Sequence, residues 1–298
     1  MRIYSKTYTI TLTVLLAIHL LMAGRTVGQG FTDDAKIAAA FLQSFDSLSA
    51  KGRSISAEEV QKALLAEQHG VALDLAKPVS KELTGHDLYE KAKSATVITG
   101  IAYLCPRCDN VHLSESTGYV IDPKGIMVTN YHVMGMYAFM KDGNQPKGFV
   151  VRMANGRTYG VRAVLASSKK NDLAVLQLDT HGDILPALSL ADSAQIGDKI
   201  SILGHPKGIH FYFSQGNVNN KYMEEVGEGD NKFFREMMSV SADYATGSSG
   251  GPVMDMYGNV VGTVANTRMF LHSDMNAGVQ MVLKNTVPVE SLWKLIRK

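Results

Sequence analysis

A chain of 298 residues, 45% hydrophobic and 19% charged, has the length for one or two domains and the composition of a globular protein rather than a disordered or fibrous one. The formal net charge of +2 and the lack of any Lys/Arg run exclude a phosphate-binding stripe, so no nucleic-acid partner is expected.

At the start of the chain, Arg2 and Lys6 precede an apolar run from Tyr8 to Gly24 that ends in small residues. A charged n-region followed by such an h-region is the pattern of a secretory signal peptide, predicted over residues 1–28 with cleavage near Gly24 or between Gly28 and Gln29. The run is short for a bilayer span and contains Thr and His. An exported protein with no stable membrane insertion after signal removal is therefore expected.

Residues 29–85 form a predicted helical extension. "DDAKIAAAFLQSFDSL" carries apolar residues at three- and four-residue spacing behind two acids, which suit a helix N-terminus. "SAEEVQKALLAEQ", Ser56 to Gln68, repeats the pattern with Ser56 and Glu59 in the spacing of a capping box. The helical reading continues to about Ala92, and a domain of residues 86–298 begins near this point. From about Ala95 short β-branched runs alternate with Gly, Asn and Asp turns at regular spacing, the signature of an all-β sandwich or barrel. "SLWKLIRK" reads as a closing helix.

The two cysteines fall in "LCPRCDNVHL", with His112 four residues after Cys108. Export permits a disulfide, and a Cys105–Cys108 bridge would be a local clasp rather than a global staple. A zinc ion would need His112 and a fourth, unidentified ligand. Thiol redox chemistry would need a helix N-terminus after a strand. The clasp is the expectation, with no metal and no cofactor.

Three residues of the β region carry candidate chemistry. His132, in "GIMVTNYHVM", ends an alternating strand; a lone histidine is equally well read as a packing residue. Asp172, in "KKNDLAVLQLD", stands at the head of an apolar strand, where an aspartate is commonly a turn residue. Ser249 lies in Gly247-Ser248-Ser249-Gly250-Gly251-Pro252, whose glycines allow backbone shapes a Cβ would block. There the N–H groups of Gly247 and Ser249 can point into one hollow, an oxyanion hole, with Ser248 facing away as a turn residue. Gly247-x-Ser249-x-Gly251 also fits a nucleophile elbow, but that needs a helix afterwards and downstream partners, whereas strand follows here and only His272 lies downstream.

In order, "TGYVIDPKGIMVTNYHV", "NDLAVLQLD", "SILGHPKG", "SQGNV" and "TGSSGGPVMDMYGNVVG" resemble the successive motifs of the chymotrypsin-fold (trypsin-like) serine peptidases, most closely the exported bacterial HtrA/Deg-type branch. The resemblance covers roughly residues 86–298. It implies a mainly β protein of two six-stranded antiparallel β-barrels preceded by the helical segment, and a catalytic triad of His132, Asp172 and Ser249. The implied activity is endopeptidase hydrolysis through an acyl-enzyme, on protein or peptide substrates, in a bacterial periplasm or outside the cell. It further implies a substrate pocket lined by Ala265, Thr267 and Gly278, with Asp243 where trypsin-like members carry a base that attracts Arg or Lys. Ser248 replaces the family's Asn or Asp, and no PDZ domain is recognised, so the oligomers built on that domain are not implied. The same fold also hosts silent or self-inhibited peptide-binding proteins, with residues 29–85 as the candidate inhibitory segment.

Overall fold

The computed structural model describes residues 30–49, 54–73, 75–108, 110–227, 229, 232–273 and 275–296. The predicted signal peptide lies outside the described residues. Residues Asp34–Lys298 form one compact unit, so the helical extension shares a body with the β region.

Helix α1 (Asp34–Ser49) is followed by α2 (Ala57–Ala66), where Ser56 and Glu59 form the expected reciprocal capping box. Helix α3 (Gly85–Ala95) runs straight into β1 (Thr96–Leu104), so the boundary expected at residues 85–86 falls at the first residue of a helix rather than in a linker. Then come β2 (Val111–Asp122), β3 (Ile126–Thr129), a short helix α4 (Tyr131–Ala138), β4 (Gln145–Met153), β5 (Thr158–Ser168) and β6 (Leu173–Leu178). These strands close in the order β1-β2-β3-β6-β5-β4. The second barrel is made by β7 (Lys199–Gly204), β8 (Tyr212–Val226), β9 (Phe233–Val240), β10 (Pro252–Met254), β11 (Val260–Ser273) and β12 (Asn276–Pro288), closed as β10-β11-β12-β9-β8-β7. Closure leaves no barrel edge to template another strand. Helix α5 (Val289–Ile296) ends the described chain.

The helical extension is built into the barrels. Phe41 and Phe45 of α1 are buried, and their rings lie where β1 and β4 carry glycine: a Cβ on Gly100 would meet the Phe41 ring at 2.7 Å, and one on Gly148 the Phe45 ring at 2.7 Å. Val60 and Leu64 of α2 join Phe149, Val161 and Leu176 in the first barrel's core. Ser54 bridges the backbone of Phe149, donating to its carbonyl at 2.9 Å and accepting from its amide at 3.0 Å. Further along, Asn259 of the second barrel exchanges two side-chain hydrogen bonds with the backbone of Val79, at 2.8 and 2.9 Å. The extension thus straps both barrels.

Two neighbouring histidines after β7 carry opposite charge preferences. His205 is fully buried, and burial pushes its pKa down from the ordinary 6.5 to about 3, with His210 adding repulsion. Burial also opposes charge on His210, but Glu115 and Asp34, whose carboxylates stand 2.9 and 3.0 Å from its two ring nitrogens, outweigh it and raise its pKa. Charged His210 therefore pins the first residue of α1 to β2, a tie that weakens as pH rises past its elevated pKa. For His205 the sign reverses. Between pH 6.5 and about 3 the unfolded chain takes up a proton that the folded one refuses, so stability falls on acidification across that window. Denaturant unfolding between pH 7 and 4 should give a shallower acid slope for His205→Phe than for the parent; an equally steep slope would refute this.

Candidate active site

His132, expected to end a strand, lies three residues past the end of β3, in the first turn of α4. The first amides of a helix have no intrahelical acceptor. That of His132 donates instead to Oδ1 of Asp172 at 2.9 Å. The same carboxylate takes the imidazole: Nδ1 stands 2.8 Å from Oδ2 and 3.0 Å from Oδ1. With its Nδ1 proton donated there, the ring presents Nε2 as a base. Asp172 is buried at the head of β6 with φ of 52°, a backbone region non-glycine residues rarely occupy. Asn130 holds it there, donating from Nδ2 to the Asp172 carbonyl at 2.9 Å.

Ser249 shares a cavity of about 330 Å³ with His132 and Asp172. Its hydroxyl donates to the carbonyl of Ala265 at 3.1 Å, and among the described residues no hydrogen bond joins it to His132. A staggered rotation about χ1 re-aims the hydroxyl without moving the backbone.

Three carbonyls of the nucleophile loop are held from behind. Lys207 N–H donates to Thr246 O at 2.8 Å, and Thr117 Oγ1 to Gly247 O at 2.8 Å. Ser249 O accepts from Thr117 N–H at 3.0 Å and Ser116 Oγ at 3.1 Å. The amides of Ser248, Gly250 and Gly251 have backbone acceptors. Those of Gly247 and Ser249 have none among the described residues, which leaves two adjacent donors for an oxyanion. Two glycines are required by this shape. Gly247 has φ of 101°, and a Cβ there would meet His205 O at 2.4 Å; Gly250 has φ of 84°, and its Cβ would meet Thr117 O at 2.2 Å. Ser248 faces away as expected, but into the core: it is fully buried against Gly204, and its hydroxyl has no partner.

Of the four residues expected in the substrate pocket, two line the cavity around Ser249 and two lie away from it. Ala265 and Thr267 line the 330 Å³ cavity, together with Tyr244, Ala245, Thr246 and Asn266. Asp243 does not: its side chain is 76% exposed and paired with Lys284 at 3.4 Å. Gly278 lies near the tip of the β11–β12 hairpin, next to the Leu271↔Val279 pair, while the register opposite the pocket is Asn266↔Asn285 and Thr267↔Lys284. The β12 residues opposite the pocket are therefore Lys284 and Asn285, later in the chain than Gly278. A second cavity of about 690 Å³ lies on the other side of the nucleophile loop, lined by Thr246 and Gly247, by Leu113 of β2, and by Ala35, Ala38 and Leu42 of α1.

Away from this site, Cys105 and Cys108 are not joined: their sulfurs stand 3.0 Å apart, and Cys108 Sγ is 2.9 Å from His112 Nε2. The Cys105 thiol is drawn down to about 7, first by hydrogen bonding with Cys108 and then by the Arg107 amide.

Sequence reading missed Thr117, Asn130 and Lys207, which make the site rigid.

Residues 116–262 match the trypsin-like peptidase domain family. Over that stretch the chain is similar to that family, and its fold is that of the chymotrypsin-like peptidases. Relatives and solved structures to which it is similar are named as Do-like, DegP-like and HtrA-type proteases. The chain is 28% identical over 183 residues to "Protease Do-like 5, chloroplastic" of Arabidopsis thaliana, covering 60% of this chain and 55% of that protein. It is 28% identical over 186 residues to the "Probable periplasmic serine endoprotease DegP-like" of Rhizobium meliloti, covering 62% and 34%. The chain thus spans about half or less of the length of these relatives. Among solved structures, the active form of the Rv3671c protease from M. tuberculosis superposes with a TM-score of 0.51 at 23% identity, covering 76% of this chain and 91% of that one. The HtrA-type protease AlgW bound to a decapeptide gives a TM-score of 0.54 at 19% identity, covering 70% and 65%.

Proposed function

We propose that the protein is an exported serine endopeptidase in which His132, Asp172 and Ser249 form the triad. The observation that carries this reading is the doubly bonded His132–Asp172 pair in one cavity with Ser249, beside two unpartnered amides. His132 Nε2 removes the Ser249 proton as Oγ attacks a peptide carbonyl, and Asp172 stabilises the imidazolium. The Gly247 and Ser249 amides hold the oxyanion, about 3 kcal/mol for one donor in comparable sites. His132 then protonates the leaving amine, and water attacking the acyl-enzyme by the same route frees Ser249. Cavities on both sides of the nucleophile loop leave room for chain on either side of the scissile bond, as internal cleavage needs.

Among the described residues, none of 29–85 lines the 330 Å³ cavity around Ser249, although Ala35, Ala38 and Leu42 of α1 line the 690 Å³ one; the open catalytic cavity favours a peptidase over a self-inhibited binder. Labelling by a serine-directed fluorophosphonate tests the reading: the parent should be modified and Ser249→Ala should not, and an unlabelled parent would sink it. Export rests on the leader pattern and on the periplasmic naming of a relative. No helix among the described residues is long and apolar enough to cross a membrane.

Apart from the catalytic pair, the pocket lining carries no charged side chain, which fits a small or aliphatic residue before the scissile bond. Peptides ending in Val or Leu should be cleaved with higher kcat/KM than those ending in Arg. Asp243→Asn should leave that ratio within about fivefold, the scale of a surface ion pair of 1 kcal/mol. A strong preference for Arg that disappears in Asp243→Asn would restore the basic pocket.

A further inference from the structure

Strand register brings three metal-binding side chains together at the tip of the first hairpin. β1 and β2 pair through Tyr103↔His112 and Leu104↔Val111, so Cys105 is the first residue past β1 and His112 the second residue of β2. The intervening loop folds Cys108 back between them. Its sulfur stands 3.0 Å from Cys105 Sγ and 2.9 Å from His112 Nε2, and the three donor atoms lie within 4.8 Å of one another. The Tyr103 ring faces the imidazole across the strand pair, with centroids 5.5 Å apart, and so sets its plane.

A disulfide would use two of these donors and leave the imidazole directed at a bonded sulfur with no charge to meet. A shared cation uses all three. Two thiolates and an imidazole are the borderline-soft set that selects zinc over calcium or magnesium. With Zn–S near 2.3 Å and Zn–N near 2.0–2.1 Å, tetrahedral donors stand about 3.5–3.8 Å apart. The observed separations of 3.0 and 2.9 Å need to open by less than about 1 Å to admit the ion, a side-chain adjustment.

We propose that Cys105 Sγ, Cys108 Sγ and His112 Nε2 bind one zinc ion, with the fourth position taken by water. The two thiol protons leave as the ion enters, so the site is neutral when loaded. Bound zinc fastens the tip of the hairpin whose second strand, at Ser116 and Thr117, holds the nucleophile loop.

The test uses the untagged full chain, reduced and desalted without oxygen, then titrated with zinc chloride against a chromogenic chelator. One tightly held zinc per chain is expected, with loss of binding in Cys108→Ser and His112→Gln while their far-ultraviolet circular dichroism stays that of the parent. Cobalt in place of zinc should give thiolate-to-metal absorption that both variants lose. A reduced chain that retains no ion, or ions retained equally by parent and variants, would overturn the proposal. The readout is metal content and cobalt absorption, so it stands apart from whether the chain cleaves peptides.

Discussion

Ser249→Ala is expected to lower peptide hydrolysis by roughly 10⁶-fold, the loss seen when a triad serine is removed, and to leave the melting temperature within a few degrees of the parent. Function and folding separate here because different atoms serve them. Among the described residues the Ser249 hydroxyl makes a single hydrogen bond, to Ala265 O at 3.1 Å, and a partly exposed neutral bond contributes about 1 kcal/mol or less. The loop's shape is held by its carbonyls, through Lys207, Ser116 and Thr117, none of which touches that hydroxyl. Steady-state assays on a quenched peptide, with thermal unfolding alongside, check both halves. Retained hydrolysis would remove Ser249 from the mechanism, whereas a variant that fails to fold would assign it a structural role instead.

What the sequence revealed of this site is what local backbone chemistry encodes. Gly247 and Gly250 were readable because a left-handed backbone and close approach to other strands leave no room for a Cβ. His132 and Asp172 stood out because apolar strand sequence precedes the one and follows the other; Asp172 heads β6, while His132 follows β3 in the first turn of α4. The supports were not readable, because they are contacts between distant segments. Thr117 reaches Gly247 across 130 residues, and Asn130 reaches Asp172 across 42. Nothing in "STGYV" says that its threonine will bond a loop of the other barrel. The same limit explains Gly278: alignment by motif assumes a hairpin length, and β11 and β12 run 14 and 13 residues here, carrying the pocket register on to Lys284 and Asn285. Helices α1 and α2 were legible from their apolar spacing and the Ser56 cap. Their docking was not, since it depends on Gly100 and Gly148 lying opposite two phenylalanines.

That docking decides what removing the helical extension does. Deleting residues 34–85 should abolish cooperative folding and with it activity, rather than release an inhibited enzyme. Phe41, Phe45, Val60 and Leu64 are all buried against the barrels, and truncation of one such phenylalanine costs about 3–5 kcal/mol. Domains of this kind have about 5–15 kcal/mol of stability in all, so losing the four together exceeds what the barrels can lose and remain folded. The graded version keeps the chain intact. Phe41→Ala alone should lower the unfolding free energy by about 3–5 kcal/mol, while kcat at a temperature where the variant is still folded stays close to that of the parent, because Phe41 contacts Gly100 rather than the cavity around Ser249. Denaturant melts give the first quantity and initial rates the second. A truncated chain that folds and cleaves peptide faster than the parent would mean that the helices restrain the site, and the inhibitory reading of residues 29–85 would then replace the structural one.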